Sequence, residues 1–151
     1  MPDDLKSRIQ EDVKDAMRAR DRQRLGALRL ITAGIKQKEV DERISLDDIA
    51  VISVLEKMIK QRRDSRQQYE QAGREDLAAQ EAFEIDILQG YMPAALSESE
   101  ISGLVETAIL ETGATSMKDM GKIMGVLKPK LQGRADMGAV SGLVRARLGG
   151  G

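Results

Sequence analysis

The residues best suited to chemistry in this 151-residue chain lie in one stretch, MGKIMGVLKPKLQGRAD, from Met120 to Asp136. Gly121 and Gly125 stand four apart with Lys122 between them, Lys128 and Lys130 flank Pro129, and Gly133 precedes Arg134. Such a stretch can cradle phosphate in a loop, face a nucleic-acid backbone from a helix and its turn, or pack one helix closely on another. The loop does not fit. A Walker-type phosphate loop needs four residues between its glycines, then Lys and Ser or Thr, at a strand-to-helix turn. Here the lysine follows the first glycine, no hydroxyl follows it, and no strand pattern precedes it. On a helix, Gly121 and Gly125 share a face clear of side chains, where a neighbouring helix or a sugar–phosphate backbone can approach. Lys128, Lys130 and Arg134 gather about the helix end and its turn. There they complement the negative end of the helix dipole, and they also form a compact cationic collar for phosphates. Close helix packing and an RNA-facing surface both stay open.

Composition narrows the chemistry. The chain has no histidine and no cysteine, so there is no imidazole base, no thiolate nucleophile and no zinc site of the usual ligand types. No cofactor motif or metal-ligand set is recognisable, and no catalytic residue is assigned. An enzyme working through carboxylates such as Glu81 and Glu84 is the weakest reading, because a charged rim beside a core is far commoner. Aromatics are confined to Tyr69, Phe83 and Tyr91, which argues against single-stranded RNA read by base stacking. The form of binding this composition permits is a structured RNA held by shape and backbone, with no DNA partner expected.

Charge is unevenly spread. The chain carries a net −1, yet from Met117 onward there are seven bases against two acids, Asp119 and Asp136. A smaller excess lies at Lys57, Lys60, Arg62, Arg63 and Arg66 against Asp64. These two basic surfaces matter more than the total.

The elements that must position these residues read as helices. Leu5, Ile9, Val13 and Met17 form a stripe over Asp4 to Arg20, followed by Leu25, Leu28, Thr32 and Ile35. Ser45 offers a cap with acids at Asp47 and Asp48 in the first turn. The long helix after it carries Ile52, Leu55, Ile59, Arg62, Arg66 and Tyr69 on one face and stops at Gly73. Because that face is apolar early and polar late, its second half should leave the core. Glu75 to Gln89 fits a fourth helix, and QGYMP then breaks the pattern at Gly90 and Pro93. Gly90 to Ser97 is the expected linker.

Beyond it, Ser97 and Glu100 have capping-box spacing ahead of Ile101, Leu104, Val105, Ala108 and Ile109, and Gly113 closes that helix. Ser116 and Asp119 repeat the cap logic before Met117, Met120, Ile123, Met124 and Leu127. After Pro129 and Gly133, Asp136 can cap a last helix with Val140, Leu143, Val144 and Leu148. No period-two run is long enough for a strand. The expected fold is all-α, with a four-helix subdomain over residues 1–92 and a three-helix subdomain over residues 93–151. No apolar run suits a membrane span, MPDDLKSRIQ lacks the apolar stretch of a signal peptide, and the expected location is the cytoplasm.

Three segments carry a family resemblance. LRLITAGIKQKEVD, VLEKMIKQRRDSRQQYEQAGREDLAAQEAFEIDILQGYMPAALSESEI and DMGKIMGVLKPKLQGRADMGAVSGLV together resemble YqeY proteins. Their helical region is similar to the C-terminal part of GatB, the B subunit of glutamine-dependent tRNA amidotransferase. The resemblance implies a two-part helical fold and a non-catalytic tRNA-binding module associated with carbon–nitrogen ligation that uses glutamine as amide donor. In GatB the tail helps hold the tRNA body while catalysis occurs in a separate domain. The positions matching the RNA-binding role are Gly121, Lys122, Gly125, Lys128, Lys130, Gly133 and Arg134. Asp136 lies in the family's RAD segment, where a helix cap accounts for it. The rival reading is a helical adaptor whose N-terminal half docks a tRNA-dependent enzyme.

Overall fold

The computed structural model describes residues 4–149, which fold as seven α-helices and one short 3-10 helix, with no strand among the described residues. The outer limits of the two expected subdomains, residues 1–3 and 150–151, lie outside the described residues. The chain divides between Met92 and Pro93 into two compact units, each with its own apolar cluster.

The first unit holds α1 (Leu5–Arg18), α2 (Arg22–Glu42), α3 (Asp48–Gln71) and α4 (Glu75–Gln89). Its core is aliphatic, with Ile9, Leu28, Val51 and Leu55 fully buried and Tyr91 the one buried aromatic. In α1 the expected stripe holds at Leu5, Ile9 and Val13 but not at Met17, which is 52% exposed. Steps of four residues drift by about 40° each around a helix, so Met17 has rotated out and Ala16 is buried in its place.

The cap of α3 is Asp47, not Ser45. Its carboxylate accepts from the Ala50 N–H at 2.9 Å, while Ser45 accepts from Lys6 Nζ at 2.9 Å. Leu46 and Val51 then occupy the positions of a hydrophobic staple, and both are buried in the same cluster. The last buried residue of α3 is Ile59, so its second half leaves the apolar core as expected. There α3 and α4 form a hairpin closed by a polar clamp. Arg62 Nε donates to Glu84 Oε1 at 3.0 Å, and Gln80 donates to the other Glu84 oxygen at 3.0 Å.

The second unit holds α5 (Glu98–Thr112), the 3-10 helix (Met117–Asp119), α6 (Met120–Leu131) and α7 (Met137–Gly149). Its core is built from Val105, Ile123, Leu127, Leu131, Val140 and Val144. The capping box at Ser97 and Glu100 is formed in both directions, and Gly113 ends α5 with φ 66°, in the left-handed region that favours glycine. Met117 is 47% exposed and lies outside the core stripe, because the 3-10 turn does not continue the rotation of α6.

The expected linker, Gly90 to Ser97, is tied down from both sides. Tyr91 is buried in the first unit and its hydroxyl donates to the Asp12 carboxylate. In the second unit, Ala94 accepts from Arg134 Nε at 3.2 Å and the Leu96 N–H donates to the Arg134 carbonyl at 2.9 Å. Met92 and Pro93 remain between these anchors.

Candidate nucleic-acid interface

The surface of interest is built on α6 and its two ends. At the N-terminal end, Asp119 accepts from the Thr115 N–H at 3.0 Å and the Ser116 N–H at 3.4 Å. The Thr115 N–H foremost, with the Ser116 N–H and the Lys122 ammonium, holds the Asp119 carboxyl below its ordinary range. The register of α6 is set by Ile123, Leu127 and Leu131, all fully buried. Fixing that face inward turns Gly121, Lys122, Gly125, Lys128 and Lys130 to solvent.

At about 100° per residue, Gly121, Gly125 and Lys128 fall within one arc of about 60°. Lys122 lies about 60° to one side of that arc, and Lys130 about 80° further round. A Cβ added at Gly121 or Gly125 would meet no atom of the described residues within 4 Å outside its own turn of helix backbone. Close packing among the described residues therefore does not account for the two glycines. The side chains of Lys122, Lys128 and Lys130 make no hydrogen bond or ion pair among the described residues. Pro129 lies inside α6. It brings no N–H to the Gly125 carbonyl, so the last turn is the weakest part of the helix.

Gly133 and Arg134 belong to the turn rather than to this face. Gly133 has φ 76°, a conformation that glycine adopts without strain. Arg134 is partly buried, and its guanidinium fastens Ala94 while its carbonyl fastens Leu96. Asp136 accepts from the Gly138 N–H at 3.0 Å at the start of α7, the capping role that its position suggests. Lys118 and Arg145 are further exposed cations of this unit whose side chains form no ion pair among the described residues. The charge count includes both, but no motif singles them out. Arg147 is paired with Glu106.

The carboxylates weighed for catalysis sit in a different setting. Both Glu84 oxygens are engaged, by Arg62 and Gln80. Burial, reinforced by neighbouring Glu84 and opposed by Arg62, pushes the Glu81 carboxyl up from its ordinary value. Glu84, through Arg62, clamps α4 to α3. No cluster of three or more metal-ligating side chains occurs among the described residues.

The family model described as Yqey-like protein matches residues 6–148, spanning both units. The chain belongs to the YqeY-like family. Among its curated relatives is the Pyrenophora tritici-repentis protein named Altered inheritance of mitochondria protein 41, mitochondrial. It is 36% identical over 132 residues, covering 85% of this chain and 71% of that protein. Proteins of the same name from Lachancea thermotolerans and Eremothecium gossypii are 36% and 32% identical. Those matches cover 72% and 74% of this chain but only 59% and 63% of the relatives. The chain thus spans about six-tenths of the length of these two relatives.

Proposed function

We propose that this YqeY-like chain is a non-catalytic module that binds tRNA by its backbone and shape, through the exposed face of α6. The observation that carries the reading is the pairing of two open glycines with three lysines that form no ion pair among the described residues. Each glycine costs a helix about 1 kcal/mol relative to alanine, and among the described residues no other part of the protein comes within 4 Å of where a Cβ would stand on either one. A sugar–phosphate ridge lying along Gly121 and Gly125 would use that clearance, with Lys122 and Lys128 meeting phosphates on its flanks. Lys130 would contact the RNA further round the helix. Gly133 and Arg134 would act by shaping and fastening the turn that ends α6.

The link to glutamine-dependent tRNA amidation rests on the similarity of the helical region of YqeY proteins to the GatB tail, and the proposed place of action is the cytoplasm. A mobility-shift titration with bulk cellular tRNA at several salt concentrations tests the binding. Affinity should fall steeply as salt rises, because each phosphate contact releases a condensed counterion. Absence of binding at low salt would defeat the reading.

A further inference from the structure

A separate pattern runs along α2 in the first unit. Arg22, Arg29 and Lys36 recur every seven residues, which places them on one line with about 10.5 Å between neighbours. All three are exposed, and none makes a side-chain hydrogen bond or ion pair among the described residues. Beside them lie Gly26, Leu30 and Ala33. A Cβ at Gly26 would meet nothing within 4 Å, Leu30 is 50% exposed and Ala33 is exposed. One edge of the face is cationic and the strip next to it is small or apolar.

On the other side of the cation line from Leu30, α1 and α2 leave a cleft of about 440 Å³, lined in part by Arg29, Ala33 and Lys36. The acid in that cleft, Glu39, is already held by Lys6 at 2.6 Å and by the Leu46 N–H at 2.8 Å. Lys6 offsets that charge, and neither Arg29 nor Lys36 pairs with Glu39 among the described residues, so the face keeps its positive character.

We propose that this face of α2 docks a helix of a partner protein carrying carboxylates at seven-residue intervals. A partner helix of that period would meet a cation every second turn. Gly26 and Ala33 would let its backbone come close, and Leu30, exposed beside them, would supply an apolar contact. A nucleic acid is the poorer match, for its sugar–phosphate backbone offers nothing to Leu30. The proposal is independent of the RNA reading, since α2 and α6 belong to different units.

The test uses the full chain and a fluorescent, stapled helical peptide with three glutamates at seven-residue spacing and a leucine beside each. A second peptide of equal composition has its glutamates moved off that period. Anisotropy should show the periodic peptide binding at least about tenfold more tightly, and Arg22→Glu, Arg29→Glu and Lys36→Glu together should weaken it by a similar factor. Ala33→Arg separates docking from bulk attraction, because it adds positive charge while filling the groove. Weaker binding by this variant, with an unchanged circular dichroism spectrum, supports docking. Equal binding of the two peptides, or tighter binding by Ala33→Arg, would overturn the proposal. So would a triple variant that loses tRNA affinity while keeping the peptide.

Discussion

Two of the cation-rich regions of this protein, on α3 and on α6, are built differently. On α3, Arg62 is only 15% exposed and lies 3.0 Å from Glu84, and Arg66 lies 3.0 Å from Glu70. On α6, Lys122, Lys128 and Lys130 are exposed and form no ion pair among the described residues. Both regions appear in the sequence as local excesses of charge. In the first, two of the arginines are consumed in ion pairs, whereas in the second the charge is left facing solvent. A count of bases therefore marks a candidate surface, and only the placement of the acids separates a clamp from a collar.

Breaking the clamp should produce the largest effect on stability. Removing one partner of a largely buried ion pair strands the other charge, so Arg62→Ala or Glu84→Ala should destabilise the fold by about 2–4 kcal/mol. Denaturant unfolding followed by circular dichroism reads this directly. Lys128→Ala or Lys130→Ala, at exposed and unpaired positions, should stay within about 0.5 kcal/mol. Equal losses from the two kinds of variant would erase the distinction between the regions.

The collar should show the reverse pattern in binding. Neutralising Lys122, Lys128 and Lys130 together should weaken tRNA binding by about ten- to a hundredfold at moderate salt and reduce the salt slope by roughly one unit per lost contact. Neutralising Lys57, Lys60 and Arg63 on α3 removes the same charge from the first unit and should change the slope little. Arg134 is best varied separately, because its bond to the Ala94 carbonyl makes it a structural residue as well. If both triple variants lose affinity alike, binding follows total charge and the α6 face is not special.

Much of this architecture is legible from local signals that act within one turn. The capping box at Ser97 and Glu100, the stop at Gly113 and the span Glu75 to Gln89 all match the structure, since each depends on a few adjacent residues. Expectation and structure part where a choice depends on packing. Ser45 and Asp47 are both competent caps, and the burial of Leu46 selects Asp47. Met17 loses its place to the smaller Ala16 through helical drift. The collar residues are visible as a motif, but their lack of ion pairs is not, and neither is the fastening role of Arg134. A linear charge count registers the bases between Arg22 and Lys38, where no acid lies, but not the seven-residue period that aligns Arg22, Arg29 and Lys36.

Tyr91 sharpens the comparison from the side of the first unit. Its hydroxyl donates to Asp12, which also lies 3.8 Å from Arg24, and Arg8 stacks 5.4 Å from the ring centroid. Tyr91→Phe should cost about 1–2 kcal/mol, the loss of a hydrogen bond to a charged acceptor. Burial, followed by the bond to Asp12 and its negative charge, pushes the Tyr91 hydroxyl well above its ordinary value. A raised folded-state value means that this stability is fully present below about pH 10 and falls as pH rises further, because the unfolded chain ionises first. Thermal melts from pH 8 to 11 should show this alkaline decline in the parent and a shallower one in Tyr91→Phe. Parallel declines would remove Tyr91 from the account.

The smallest expected effect bears on why α6 keeps two glycines in its exposed face. Neither has the positive φ that would favour glycine, and a methyl group at either position would meet no neighbour within 4 Å. Gly121→Ala and Gly125→Ala should therefore each stabilise the second unit by about 0.5–1 kcal/mol, through helix propensity and a less flexible unfolded chain. A larger side chain such as glutamine fits the same open space and should likewise do no harm to the fold. It would stand where the proposed sugar–phosphate ridge approaches, so tRNA affinity should drop while the melting temperature holds or rises. That divergence cannot come from a glycine needed for internal packing, whose replacement lowers stability and binding together. If Gly121→Gln and Gly125→Gln bind tRNA as well as the parent, no backbone approaches this face. The lysines around it would then be an ordinary solvated helix end.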